Sequence, residues 1–155
     1  MSEATGWAVG PAGEADRGRW QELYAAYAEF YAEPMSPERF DLVWSWIHDP
    51  AVGFGALLVR PAAGGDAVGL AHYRPYLRPL AGSVGGYLDD LFVHPAERGG
   101  GAVDALLSAL REIGLARGWS KIRWITAEDN YRARSKYDRV AERTTWVTYD
   151  MWLDD

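Results

Sequence analysis

The sequence predicts a single α/β domain built on a mixed sheet, and three observations lead to this fold class. Segments of strand character alternate with helical patterns along the 155 residues. Two apolar runs joined by a glycine-rich turn indicate an antiparallel hairpin. A later succession of strand, helix and strand indicates a right-handed βαβ unit with parallel strands. Because no repeat or change in composition marks a boundary, residues 1–155 are expected to form one domain.

The N-terminal part is predicted to form a strand and two helices. Residues 7–9 have strand character, and Asp16 can cap the helix that follows. Ser36 and Pro37 mark the start of the second helix, which ends before Asp49. Apolar side chains of the first helix recur at steps of three and four residues, which places on one face Trp20, Leu23, Tyr24, Tyr27, Phe30 and Tyr31.

The middle of the chain carries the hairpin. Its predicted strands are residues 53–59 and 68–73, and the turn lies at 62–66. Prolines and tandem glycines predict a loop over 74–86. A long strand is expected at 87–94, so the loop would lead directly into it.

The C-terminal part completes the βαβ unit and adds two elements. Apolar spacing predicts a helix over 102–117, which Gly118 terminates. Residues 121–126 alternate as a strand, and residues 130–140 are expected to form a short helix. A closing strand is expected at 144–153. The predicted order is strand, two helices, three strands, helix, strand, helix, strand.

Composition excludes several classes of site. The chain has no cysteine, so disulfides, thiolate zinc sites and cysteine nucleophiles are excluded. The histidines His48, His72 and His94 lack the spacing of ligands, and we predict no metal. A net charge of −6 argues against nucleic acid as a partner. No secretion signal or long apolar run is found, so a protein of the cytoplasm with no membrane partner is expected.

A glycine run between strand and helix is the strongest functional signal. It reads Arg98-Gly99-Gly100-Gly101, directly before the helix at 102–117. Glycines allow close approach of the backbone, and the unpaired N–H groups of a helix start favour an anion such as phosphate. A P-loop would need lysine and then serine or threonine after the last glycine, and a dinucleotide fingerprint would need glycine in place of Asp104. Both motifs are therefore excluded.

The run resembles the arginine-x-x-glycine-x-glycine/alanine signature of the GCN5-related N-acetyltransferase (GNAT) family, with Val103 as a departure at its end. Asn130, followed seven residues later by Tyr137, resembles the family's second signature. The resemblance implies a GNAT-like α+β fold, with a central mixed, mostly antiparallel sheet, helices on both faces and one parallel βαβ unit. It also implies acetyl-coenzyme A (acetyl-CoA) as co-substrate, held by Leu91, Phe92, Val93, Arg98, Gly99, Gly100, Gly101, Ala102, Val103, Asn130 and Ala133.

Within the family, residues 87–93 look closest to the polyamine, diamine and thialysine acetyltransferase branch, because an acidic pair is followed by apolar residues. That branch acetylates small cationic amines. The implied activity is transfer of an acetyl group to the primary amine of a small molecule. The residues expected to contact this substrate are Tyr31, Glu33, Tyr73 and Asp89.

Acyl transfer explains why these residue types occur together. A carboxylate can accept the proton of the attacking amine, and Asp89 or Asp90 is the candidate. Alternate side chains of a strand face opposite ways, so only one of the pair is expected to reach the reacting centre, and the resemblance favours Asp89. The resemblance gives Tyr137 the role of acid toward the leaving thiolate. The N–H of Leu91 or Phe92 could stabilise the developing oxyanion.

Other interpretations remain open. The amine could belong to a peptide or protein, or the chain could bind acyl-CoA without catalysis. The acidic pair could be surface charges of a strand. Aromatic residues make up 14% of the chain and could form a core, a ring-lined pocket or a dimer interface. A homodimer is expected from the family and from the aromatic tail residues Trp146, Tyr149 and Trp152.

Overall fold

The structure of the protein, a computed structural model, describes residues 3–4 and 6–154. It divides into two units, one ending at Trp124 and one beginning at Ile125. The strands of the first unit are β1 (Glu3–Ala4), β2 (Trp7–Pro11), β3 (Gly55–Pro61), β4 (Gly69–Arg78), β5 (Ser83–Val93) and β6 (Ile122–Arg123). Its α-helices are α1 (Arg17–Phe30), α2 (Pro37–Ile47) and α3 (Ala102–Arg117).

The strands form one mixed sheet in chain order, β1 to β6. Every neighbouring pair is antiparallel except β5 and β6, which are parallel and are joined through α3. This confirms the predicted hairpin between β3 and β4 and the predicted βαβ unit. The helix boundaries at Pro37 and Gly118 are also as expected, since the Ser36 hydroxyl accepts the Arg39 N–H and Gly118 has a φ of 72°.

Two hydrophobic cores lie on opposite faces of the sheet. Alternate residues of β3 feed the two cores, with Leu57 on the α3 face and Leu58 on the face of α1 and α2. On the α3 face, Leu106 and Leu110 are buried. On the other face, the centre is the fully buried Trp20. The helices thus cover both faces, as the family resemblance implied.

The prediction of a loop over 74–86 is wrong. Strand β4 continues to Arg78 and β5 begins at Ser83, so that only a short turn around 79–82 separates them. Pro75 lies within β4 opposite Gly86. Proline is tolerated here because the pairing of β4 with β3 ends at Tyr73, which leaves the rest of β4 as an edge segment on that side.

The C-terminal strand predictions are also corrected. Of the strand expected at 121–126, only β6 at Ile122–Arg123 is formed. The second unit contains α4 (Tyr131–Val140), as predicted, but residues 144–153 have no regular secondary structure. A strand is maintained by pairing with a neighbour, and α4 is the one regular element among the residues of this unit that the structure describes. No helix in the described part of the chain combines the length and apolar character needed to cross a membrane.

Candidate active site

The glycine run forms an open turn between β5 and α3. Gly99 and Gly101 have φ of 85° and 94°, values that residues with side chains rarely adopt. A Cβ built on Gly99 would meet no atom within 4 Å, so the backbone there borders open space. Gly101 occupies the N-cap position of α3 and supplies no side-chain cap. The first N–H groups of α3 are therefore oriented for an anionic ligand.

Two side chains hold this turn in place. The indole N–H of Trp7 donates a hydrogen bond of 2.7 Å to the carbonyl oxygen of Gly100. Arg98 Nε donates to the carbonyl oxygen of Val93 at 3.2 Å, which folds the arginine back over the end of β5. The turn is thus tied both to β2 and to the strand that precedes it. Trp7 gave no functional signal in the sequence, because its contact partner is 93 residues away.

The edge of β5 beyond Tyr87 is available to a ligand within the first unit. Pairing of β5 with β6 is limited to Gly86 with Ile122 and Tyr87 with Arg123, whereas β5 continues to Val93. Alternate backbone groups over 88–93 therefore face an edge at which no strand pairs among the described residues of this unit. This stretch contains Leu91 and Phe92, and it leads through residues 94–98 to the glycine turn. Val103 packs against the core on the α3 face.

A β-bulge breaks the expected alternation of the two aspartates. Strand β4 residue His72 pairs with Asp90 and Tyr73 pairs with Leu88, so Asp89 is the extra residue. The imidazole of His72 bonds Asp90, and Nε of Arg74 bonds Asp89. His72 and Arg74 are two residues apart on β4 and share a face. The bulge therefore brings both carboxylates to the same face of the sheet, where α1 and α2 pack.

Asp90 lies in a buried hydrogen-bond network. Its Oδ2 accepts from Nδ1 of His72 at 2.8 Å and from the Tyr24 hydroxyl at 2.9 Å. The Trp20 indole donates to Nε2 of the same histidine, which must then carry its proton on Nδ1. Burial alone would raise the pKa of Asp90, but the hydrogen bonds from His72, Tyr24 and Tyr27 outweigh it and lower that pKa.

Asp89 has a different environment. Its carboxylate accepts Nε of Arg74 at 3.2 Å and 3.0 Å through its two oxygens, and its side chain is 26% exposed. Burial raises the pKa of Asp89, and the Arg74 guanidinium opposes that shift without cancelling it. Burial also raises the pKa of Tyr24, with Asp90 and Asp89 as further causes. Adjacent carboxylates thus have pKa values displaced in opposite directions.

A cavity of about 550 Å³ opens between α1 and α2. Its wall includes Tyr24 and Tyr27, the tyrosines that stabilise Asp90. Two predicted substrate residues, Tyr31 and Glu33, also line it. The lining is otherwise mainly apolar and aromatic, with contributions from Ala28, Met35, Leu42, Val43 and Trp46 and a single arginine, Arg39. Such a composition is typical of a site for a small molecule.

Tyr73, another predicted substrate residue, is not among the residues that line this cavity. Its side chain is 6% exposed and packs in the core on the α3 face, with its ring centroid 6.1 Å from that of Trp119. Because Tyr73 is adjacent to His72 on β4, the pleat turns it to the other face of the sheet. We predicted from the sequence that Tyr73 contacts the substrate. In the structure, its neighbours His72 and Arg74 are the β4 residues that contact the aspartates.

The second unit carries the remaining predicted site residues. Asn130 takes the N-cap position of α4 but makes no capping bond, since its side-chain amide donates to the Thr126 hydroxyl at 3.2 Å. Ala133 lies in the first turn, and Tyr137 is half-buried in the next part of the helix. Arg134 bonds the carbonyl oxygen of Glu128. Among the residues that the structure describes, no group of three potential metal ligands is found.

A bulge presents an acidic pair on β5, and the chain leads from this strand to a glycine turn suited to an anion. This arrangement fits a phosphorylated cofactor and a basic substrate. The family model described as "Acetyltransferase (GNAT) family" matches residues 20–141. This chain belongs to the GNAT family of acyl-CoA-dependent N-acetyltransferases.

Similar proteins agree with this assignment. The D-amino-acid N-acetyltransferase of Saccharomyces cerevisiae is 29% identical over 134 residues, which cover 86% of this chain and 83% of the yeast protein. A ribosomal-protein-alanine N-acetyltransferase from Brucella melitensis superposes with a TM-score of 0.73 at 24% identity, covering 95% of this chain and 99% of its own. AAC(6')-Iy in complex with a bisubstrate CoA analogue gives a TM-score of 0.79 at 17% identity, with coverages of 94% and 97%. These structures share the fold.

Proposed function

We propose that this protein transfers an acetyl group from acetyl-CoA to the primary amine of a small molecule, by direct attack of a nitrogen that is cationic in solution. The observation that carries the proposal is the arrangement on β5, where a bulge presents Asp89 and Asp90 on one face and the chain leads on from this strand to the glycine turn. A carboxylate pair beside an anion-binding turn suits an amine and a phosphorylated acyl donor.

The turn fits the pyrophosphate of acetyl-CoA. Open space at Gly99 and the uncapped start of α3 support this assignment, because successive backbone N–H groups there can donate to phosphate oxygens. We assign the binding of acetyl-CoA to the residues of the turn, to the edge of β5 at Leu91, Phe92 and Val93, and to Asn130 and Ala133 of the second unit. Acetyl-CoA supplies an activated thioester, so no covalent enzyme intermediate is needed.

Asp89 is the better candidate for the base. Its raised pKa and its partly exposed carboxylate suit a group that must accept a proton from the substrate ammonium ion. Asp90 is instead stabilised as the anion by several donors, and its pKa is lowered. We therefore assign proton acceptance to Asp89, and we assign to Asp90 the positioning of Tyr24 and His72.

The bond changes balance with one acid and one base. The neutral amine attacks the thioester carbon, an amide bond forms and the carbon–sulfur bond breaks. Asp89 takes up the ammonium proton before the attack and releases it to solvent, and it then accepts the second proton, which the nitrogen loses as the amide forms. The departing thiolate receives a proton from the Tyr137 hydroxyl, and the proton held by Asp89 returns to Tyr137 through solvent. The N–H of Leu91 or Phe92 is assigned to the oxyanion, since both residues lie on the open edge stretch of β5.

Two experiments test this function. Saturating acetyl-CoA should raise the unfolding temperature, because a ligand that binds only the folded state stabilises it. Amines, amino acids and short peptides should then be assayed for release of the CoA thiol. A thiol reagent detects only product here, since the chain has no cysteine. Absence of thermal protection and of thiol release would contradict the proposal, whereas protection without turnover on any amine would favour a noncatalytic acyl-CoA binder.

The cavity between α1 and α2 favours a small molecule over a peptide or protein. Its volume of about 550 Å³ and its ring-lined wall fit one compact substrate. The related yeast enzyme acts, by its name, on D-amino acids, which are also small primary amines. Faster turnover of peptides than of every small amine would reverse this choice.

We further propose that the protein is a single-domain homodimer of the cytoplasm. Trp146, Tyr149 and Trp152 have exposed fractions of 80%, 90% and 80%, which supports an interface at this segment. Light scattering of the purified chain measures the mass directly. A monomer at micromolar concentration would contradict the dimer and leave the catalytic proposal intact.

A further inference from the structure

We infer that the substrate is an α-amino acid, and that Arg74 binds its carboxylate while Asp89 faces its amine. This inference rests on the proposed function and names the substrate class of the same site. It starts from the contact between these two side chains, which places a positive and a negative group side by side at the bulge.

Arg74 uses only part of its hydrogen-bonding capacity. Its described bonds run from Nε to the two oxygens of Asp89, and its guanidinium carbon lies 4.7 Å from the centroid of the Tyr87 ring. Contact with the ring and the carboxylate fixes the plane of the guanidinium. In the described contacts of this side chain, the Nη1 and Nη2 donors remain available, and the side chain is 46% exposed. A guanidinium held in this way can bind a carboxylate through two parallel hydrogen bonds.

The charge pattern matches an α-amino acid. Such a molecule carries an ammonium and a carboxylate separated by one carbon atom, and Asp89 and Arg74 form the complementary pattern at hydrogen-bond distance from each other. A substrate with its amine at Asp89 therefore has its carboxylate beside Arg74. A diamine or polyamine would instead place a second cation near the guanidinium, which costs electrostatic free energy.

The cavity supplies a place for the amino-acid side chain. Tyr24 lines the cavity, bonds Asp90 and is influenced electrostatically by Asp89, so it connects the acidic pair to the cavity wall. The surrounding rings and the thioether of Met35 favour an apolar or aromatic side chain. The combined site thus selects an amino acid with a large apolar side chain.

The first experiment changes the substrate and leaves the protein intact. Methionine and phenylalanine, each as both enantiomers, are compared by thiol release with their amides and with the amines that lack the carboxyl group, 3-(methylthio)propylamine and phenethylamine. We expect kcat/KM for an amino acid to exceed that for its decarboxylated amine by about 10- to 100-fold, the range expected for a charge-assisted pair. Equal or faster turnover of the amide or the amine would overturn the inference.

The second experiment changes the guanidinium. Arg74→Gln should remove most of the preference for the amino acid, mainly through KM, and Arg74→Lys should keep part of it because the charge remains. Arg78→Gln is the matched control on the same strand, since Arg78 bonds Ser120 at 2.6 Å, and it should retain the preference. The role of Arg74 would be overturned if Arg39→Gln, instead of Arg74→Gln, removed the preference for the amino acid. It would also be overturned if Arg74→Gln lowered kcat/KM equally for the amino acid and the amine.

The two proposals fail in different ways. If neither amino acids nor amines release CoA thiol and acetyl-CoA gives no thermal protection, the proposed function fails. If the decarboxylated amines react and the carboxyl group brings no advantage, only the assignment of an amino acid fails.

Discussion

Trp20 and His72 are joined by a hydrogen bond of 2.9 Å from the indole N–H to Nε2 of the imidazole. Both side chains are fully buried. Because indole can only donate, this bond fixes the tautomer of His72 and directs its Nδ1 proton to Asp90. A helix residue thereby determines how a strand residue holds a carboxylate of the candidate active site.

Replacing the histidine should destabilise the fold. His72→Leu leaves the Trp20 N–H and one acceptor position of Asp90 without their partners in a buried site, and we expect the free energy of unfolding to fall by about 3 kcal/mol. Urea unfolding followed by tryptophan fluorescence measures it. The control is His48→Leu at an exposed position, which should change stability by less than about 1 kcal/mol. Equal losses in the two variants would contradict the importance of the network.

Acid should weaken the same network. The pKa of Asp90 is lowered in the folded state, so its contribution to stability is present above the ordinary carboxylate pKa of about 4 and is lost as the pH falls through the folded value. Asp90→Asn cannot titrate and should show a shallower loss of stability below about pH 4. Unfolding free energies at several pH values test this expectation, and parallel curves for the two proteins would refute it.

Removal of the proposed base should affect turnover far more than binding. Asp89→Asn is expected to lower kcat by about 10²- to 10⁴-fold, the usual contribution of general base catalysis. Thermal protection by acetyl-CoA should persist. Asp41→Asn is a suitable control, because Asp41 also pairs with an arginine, Arg17, and lies on α2. In the protein that retains Asp89, activity should fall as the pH decreases through the raised pKa of this residue.

The acid role of Tyr137 is tested by loss of its hydroxyl. Tyr137→Phe keeps the ring and should lower kcat by about 10²-fold, with little change in thermal protection by acetyl-CoA. Tyr131→Phe at the start of the same helix is the control, since Tyr131 is 71% exposed. Unchanged turnover of several amines by Tyr137→Phe would remove this residue from the mechanism.

The hydrogen bond from Trp7 to the glycine turn should contribute to the affinity for acetyl-CoA. Trp7→Phe keeps an aromatic ring but removes the donor to Gly100, and we expect stability to fall by about 1 kcal/mol and KM for acetyl-CoA to rise several-fold. Trp119→Phe removes an indole N–H near the other end of α3 and serves as the control. An unchanged KM in Trp7→Phe would show that the turn keeps its shape without this bond.

The sequence predicted the elements whose signals are local. The helix over 102–117 is set by apolar spacing and by Gly118, and the glycine turn by Arg98 to Gly101, so both were predictable from neighbouring residues. The roles of Trp7 and His72 were not, because their partners are distant in the chain. The strands on either side of residue 80 were missed because Pro75 and the tandem glycines suggested a loop, and only the sheet shows that this part of β4 is an edge.

The acidic pair on β5 is a second case in which the sequence alone could not predict how side chains are oriented. The rule of alternation predicted that one aspartate alone would face the reacting centre. A bulge depends on the register of two paired strands, which a single sequence segment does not specify. The identity of Asp89 and Asp90 as candidates was therefore predictable, whereas their common face and their separate partners, Arg74 and His72, were not.

The bulge also makes the length of β5 critical, independently of its composition. Phe92 packs toward α1 and α2, whereas Val93 packs toward α3. Because Asp89 is the extra residue, its deletion would restore a regular pleat and keep both environments, whereas deletion of Leu91 would exchange them and place the phenylalanine where the valine belongs. A change of one residue in the length of the strand between the bulge and Phe92 is thus equivalent to several simultaneous core substitutions, so the length of this stretch is expected to tolerate less change than the identity of any one side chain.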